Sequence, residues 1–191
     1  GEVTVPIPAY FASQCVEPVD LVILFTKSVY SNDALMSIRP ILSDKTWVLS
    51  LQNGIGHEEI IRRYVKPDHI LIGTTNFPSD LTGYGEIRSH GSGTTTFMSI
   101  DGHVTIEVES IRDLLYKAGL NAQLSKDVFK AVWEKVAFNA ALNTLTSITM
   151  LPQGYVGDTV EGHSLAHTVV DEVLSVASAK GIPVEVDHVH Q

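Results

Sequence analysis

The chain alternates between unbroken apolar runs and stretches whose apolar residues recur at helical spacing. Residues 19 to 26, Val-Asp-Leu-Val-Ile-Leu-Phe-Thr, make one apolar run, Trp47-Val-Leu-Ser-Leu51 a second and Ile70-Leu-Ile-Gly-Thr-Thr75 a third. Short runs without polar alternation predict strands of a parallel sheet covered on both faces. A helix is predicted from Ser31 to Ile38, with Ser31 or Asn32 as its cap and Pro40 beyond it, and another from His57 to Val65, stopped before Pro67. Strand, helix, strand, helix, strand is doubly wound α/β organisation. Glycine and β-prone residues from Gly83 to Ile100 predict one or two further strands extending the edge of that sheet.

The period then changes. A helix is predicted from Val108 to Ala118, ending at Gly119, followed by a short linking strand. Ser125 is the expected cap of a long helix, and a last helix runs from Thr159 to Lys180, stopped by Gly181 and Pro183. The second half is therefore mainly helical, and the expected division is an α/β domain over 1–122 and an all-helical domain over 123–191.

Inside the long helix, Trp133-Glu-Lys-Val-Ala-Phe-Asn-Ala-Ala-Leu-Asn143 sets Lys135, Asn139 and Asn143 at four-residue spacing. At about 100° per residue the three form one slowly drifting stripe on the side that also carries Val128, Val132 and Val136. The stripe is therefore expected to face inward or into a cleft. An amide taken out of water without a partner costs a few kcal/mol, so the stripe calls for compensating contacts. A buried polar network between helices and a small-molecule site both satisfy that demand.

In an open parallel sheet, ligands bind outside the carboxyl ends of the strands. The residues there are Thr26-Lys27-Ser28, Gln52-Asn53-Gly54-Ile55-Gly56 and Asn76, all polar or glycine-rich. The Gln52–Gly56 segment leads into a helix, so its backbone N–H groups are candidates for an anionic group, although Asn-Gly is also a common turn.

Composition narrows the classes. Of 191 residues, 44% are hydrophobic and 18% charged, and the formal charge of −9 argues against binding a polyanion such as nucleic acid. No apolar run approaches the roughly 18 residues that cross a bilayer. A single cysteine, Cys15, rules out an internal disulfide, and no secretion signal opens the sequence, so the expected location is cytoplasmic.

Taken together, Asp20-Leu-Val-Ile-Leu-Phe-Thr-Lys-Ser28, Leu49-Ser-Leu-Gln-Asn-Gly-Ile-Gly56, Trp133 to Asn143 and Ala179-Lys-Gly-Ile-Pro183 resemble the ketopantoate reductases (2-dehydropantoate 2-reductases), in the same order along the chain. The resemblance implies a Rossmann-like NADP-binding domain followed by a helical domain for substrate and dimerisation. It implies NADPH-dependent reduction of 2-dehydropantoate to pantoate, on the route to pantothenate and coenzyme A. By resemblance Lys135 is the catalytic acid, Asn139 and Asn143 orient the substrate, Asn53 and Gly54 lie by the nicotinamide and its ribose, and Lys27 lies near the cofactor or the substrate carboxylate. The expected partners are a small 2-oxo acid and a second copy of the chain, with no nucleic acid and no membrane. The family's opening Gly-x-Gly-x-x-Gly with its basic residue, and its closing serine and glutamate, have no counterpart between Gly1 and Gln191. The resemblance is thus to a truncated version, and these 191 residues alone are expected to be inactive and to hold a dinucleotide poorly.

Other readings stay in view. A 3-hydroxyacid or 6-phosphogluconate type of dehydrogenase also uses a helical lysine with an asparagine four residues on, and a non-catalytic module of the same fold needs neither. His163 and His167 lie four apart, and His188 and His190 flank a valine. With no glutamate between the first pair and only Asp171 at helical spacing, they read as surface histidines, and no metal is expected. Cys15 has no base beside it in sequence and reads as an idle thiol.

Overall fold

The protein is described here by a computed structural model covering residues 4–184. His188 and His190 lie outside the described residues. A five-stranded sheet runs in the order β1 (Leu21–Leu24), β2 (Trp47–Ser50), β3 (Ile70–Thr75), β6 (Thr95–Ser99), β7 (Ala122–Leu124). The first three strands are parallel, with Leu21 opposite Trp47 and Leu49 opposite Leu71. Helices α1 (Ser31–Ser37) and α2 (His57–Ile61) supply the crossovers.

Alternation along β2 and β3 builds two cores at once. Leu49, Leu71 and Phe97 face α3 (Ile106–Lys117), packing with Val108, Ile111 and Leu115. Val48, Ile70 and Ile72 face the other way, onto Leu35 of α1, Ile61 of α2 and Val132 of α4 (Val128–Thr149). Each strand is thus buried on both sides, which is why its sequence shows no polar alternation. A third cluster joins α4 to α6 (Val160–Ala179) through Ala137, Ala141, Val170 and Leu174. The small alanines let the two helices approach closely. Thr159 caps α6, its hydroxyl accepting from Gly162 N at 3.2 Å.

The structure corrects the sequence reading at several points. Residues 83–100 do not simply extend an edge. β4 (Ser79–Gly83) and β5 (Glu86–Ser89) form a separate antiparallel ribbon that reverses the chain, so that β6 returns antiparallel to β3 and lies inside the sheet, with β7 beyond it. β1 is covered less than its composition suggests, because Ile23 is 36% exposed while Val22 and Leu24 join the core of the opposite face. Tyr30, not Ser31 or Asn32, holds the N-cap position of α1, since the Ser31 hydroxyl is buried and engaged elsewhere. α2 ends at Ile61, after which three-residue bonds from Arg63 N to Ile60 O and from Tyr64 N to Ile61 O tighten the chain ahead of Pro67. Asp127, not Ser125, is the N-cap of α4, and Ser125 instead accepts from Asp127 N at 3.1 Å in the preceding turn. A short helix, α5 (Gln153–Asp158), packs on α6, although its two glycines gave no helical signal.

Candidate active site

Parallel pairing brings the carboxyl ends of β1, β2 and β3 to one edge, and the polar residues singled out from the sequence follow those ends. Gln52 is buried there and fully engaged. Its Nε2 donates to the Thr26 carbonyl and, at 2.9 Å, to Ser31 Oγ, while its Oε1 accepts from Ser50 Oγ at 3.1 Å. One amide thus stitches the ends of β1 and β2 to the start of α1.

The next residue, Asn53, is exposed. Its carbonyl accepts from His57 Nε2 at 3.2 Å, which fixes that nitrogen as the protonated one. His57 is 4% exposed, and burial holds its pKa below the ordinary histidine value against smaller opposing effects from the Asn53 carbonyl and Glu58. The ring is therefore neutral at pH 7. Gly54 and Gly56 take φ of +109° and +81°, a region that side chains rarely adopt, so the loop needs both glycines.

Lys135 approaches the same edge from α4. Its Nζ donates to the Thr75 carbonyl, the last of β3, at 2.6 Å. The side chain is half-buried, and burial lowers its pKa below the ordinary lysine value. Of the remaining stripe, Asn139 is half-buried and Asn143 is exposed, so the polar row emerges from the interior as it climbs the helix. The expectation that the whole stripe faces inward therefore holds only for its first two members. A 100° step drifts by about 40° every four residues, enough to carry Asn143 off the packed side. Lys27 is exposed and opens a short 3-10 turn. Asn76 is engaged structurally, its Oδ1 accepting from Thr94 N at 2.6 Å across the base of the ribbon.

A cavity of about 390 Å³ lies beside the Asn53 loop, walled by Gly54, Ile55, His57, Trp133 and Ile182. A larger one of about 910 Å³ sits at the opposite edge, between the amino ends of the strands and α3, lined by Trp47, His69 and Asp101 among others. The Ser99 hydroxyl and then the His103 backbone N–H hold Asp101 down to about 2, and His69 stacks on Trp47. The lysine and the glycine loop belong to the carboxyl edge, so the larger cavity is not the candidate site. Two contributors escaped the sequence reading. The Thr75 carbonyl is backbone and carries no sequence signal, and His57 read only as a helix start.

The chain is similar to known proteins along its whole length. The sequence model described as Ketopantoate reductase PanE/ApbA matches residues 1–102, and the corresponding C-terminal model matches residues 127–191. A 2-dehydropantoate 2-reductase of Lactococcus lactis subsp. lactis (strain IL1403) is 31% identical over 92% of this chain and 56% of its own length. One from Streptococcus pyogenes serotype M6 is 30% identical over 100% of this chain and 62% of its own. Among solved structures, a D-mandelate dehydrogenase in a ternary structure with NADH and anilino(oxo)acetate superposes with a TM-score of 0.93 at 32% identity, over 100% of this chain and 62% of that one. A 2-dehydropantoate 2-reductase from Geobacter metallireducens GS-15 gives 0.86 at 25% identity, over 95% of this chain and 62% of that one. The chain thus spans 56% to 62% of the length of these relatives.

Proposed function

Because the chain belongs to the ketopantoate reductase PanE/ApbA family, we propose that it carries the proton-donating part of a nicotinamide-dependent reductase of 2-oxo acids, with 2-dehydropantoate as substrate and pantoate as product. The observation that supports this most is the half-buried Lys135 amine at the carboxyl edge of the sheet, held by the Thr75 carbonyl. One of its three N–H donors is committed to that carbonyl, which orients the others. An ammonium beside a substrate ketone stabilises the negative charge that develops on oxygen and then delivers a proton to it. A depressed pKa makes that transfer easier.

The dinucleotide supplies the hydride when bound. The residues at the edge fit such a group: Asn53 presents an exposed amide, and nothing stands within 4 Å of where a Cβ on Gly56 would project. In this reading Asn53 and Gly54 meet the nicotinamide and its ribose, Lys27 attracts the cofactor or the substrate carboxylate, and Asn139 and Asn143 orient substrate oxygens. NADPH is the cofactor expected from the family, and the enzyme works in the cytoplasm on a small molecule. Two copies pair through the helices, where Phe138 and Ile148 leave apolar surface exposed.

A second reading has a specific observation behind it. The superposition on D-mandelate dehydrogenase favours a different 2-oxo acid, one bearing an aromatic group, with NADH as hydride source. Initial rates with 2-dehydropantoate and with the 2-oxo acid of mandelate, each with NADPH and NADH, decide between them. For either substrate, Lys135→Ala in the natural full-length protein is expected to lower kcat by about 10²–10⁴-fold with the fold retained by circular dichroism. Unchanged turnover would leave a non-catalytic module as the better reading.

A further inference from the structure

α6 carries two imidazoles that the proposed reaction does not use. His163, exposed, and His167, partly buried, stand one turn apart, with Nε2 of one 3.1 Å from Nε2 of the other. Their ring centres are 4.1 Å apart and the planes are tilted by 34°. The nitrogens are closer than the ring centres, so the rings converge at their Nε2 tips. Read as a hydrogen bond, the contact has one Nε2–H donating to the lone pair of the other. With both nitrogens deprotonated, two lone pairs crowd the same small volume, an arrangement that a cation relieves.

The spacing has a metric meaning. Two metal–nitrogen bonds of about 2.0–2.1 Å place their nitrogens about 3.3–3.4 Å apart on a tetrahedral ion and about 2.9 Å apart at a right angle. The observed 3.1 Å falls between the two. The site needs little reorganisation, because both side chains spring from one helix whose backbone is already fixed by its Thr159 cap and its packing on α4. Among the described residues no group of three or more His, Cys, Asp or Glu could hold a metal ion, so the protein would supply two ligands and water the rest.

We propose that His163 and His167 form a two-imidazole chelate for a divalent transition-metal ion, with Cu²⁺ favoured over Ni²⁺ and Zn²⁺. That preference follows from imidazole ligation and the general order of divalent affinities. The ion clips the first turns of α6, on the side that two turns further along carries Val170 and Leu174 against the helix bearing Lys135. Because it binds the folded pair better than the unfolded chain, it raises the melting temperature.

Titration of the protein with CuCl₂, NiCl₂ and ZnCl₂, each alone, tests the site by calorimetry. The expected result is one ion per chain at this site, with affinity falling at least about tenfold in His163→Gln and in His167→Gln, since each removes half of the chelate. The electron paramagnetic resonance spectrum of the Cu²⁺ form should show coupling to two imidazole nitrogens, reduced to one in either variant. Equal affinity in the variants and the parent, or a Cu²⁺ spectrum unaffected by both substitutions, would overturn the proposal. None of these measurements depends on reductase activity, so the result stands apart from the proposed function.

Discussion

In Lys135, burial and the proposed chemistry fall on the same atom. Desolvation favours the neutral amine, so the group stays charged at neutral pH only at some cost to stability, offset in part by the Thr75 carbonyl. Because its pKa in the folded protein is lowered, the unfolded state binds more protons between that value and the ordinary lysine value of 10.5, and stability contributed by this group rises with pH across that window. For the proposed reaction, kcat should fall on an alkaline limb that begins below pH 10.5, and Lys135→Arg should move or abolish it. A pH–rate profile without that limb would remove Lys135 as the acid. His57 shifts in the same direction for the same main reason. Its neutral form is favoured in the fold, so its contribution is full above pH 6.5 and is lost as pH falls through the depressed folded value. The melting temperature should therefore drop on acidification below about pH 6.5, and His57→Gln should flatten that drop.

At the scale of the element, the parallel core was the most readable part of the chain. β3 occupies the residues its apolar run implies, because both faces are packed and nothing local competes with the strand. The ribbon and the inward placement of β6 were not readable, since Thr-rich segments have similar patterns in edge and interior strands and only pairing separates them. Gly73 makes the pairing tight. A Cβ there would lie 2.6 Å from Phe97 Cβ and from the Thr96 carbonyl oxygen, and 2.9 Å from Leu51 Cδ2. Gly73→Ala should therefore destabilise the protein by about 1–3 kcal/mol, a shift that urea denaturation would register. Wild-type stability in that variant would mean that β3 and β6 are not in this register. The candidate site was legible in part: Lys135 lies on a helix stripe that four-residue spacing predicts and Asn53 follows the end of a predictable strand, whereas Gln52 reads as part of a ligand loop and is an internal tie.

For the whole molecule, the sheet provides the loop and the helices provide the amine, and a hydrogen bond from Lys135 to Thr75 joins the two alongside the apolar packing of α4. Division into an α/β part over 1–122 and a helical part from 123 is a proposal that this meeting qualifies, because α4 packs Val132 into the sheet core and Ala137 and Ala141 against α6. α4 belongs to both sides. The helical half therefore cannot be traded for another unless the replacement preserves the register of α4 against the sheet.

The carbonyl that receives Lys135 is anonymous, since any residue at position 75 would offer the same oxygen, while the helix must bring one particular side chain to it. Tolerance to change should consequently be lopsided. Inserting one residue between Val128 and Lys135 would swing the amine by about 100° around the cylinder and should abolish the proposed turnover, whereas lengthening the turn at Gly85 in the ribbon should leave that turnover intact. Comparative kinetics of those two insertions would reveal whether the proposed reaction is tuned by spelling on one side of the cleft and by shape alone on the other.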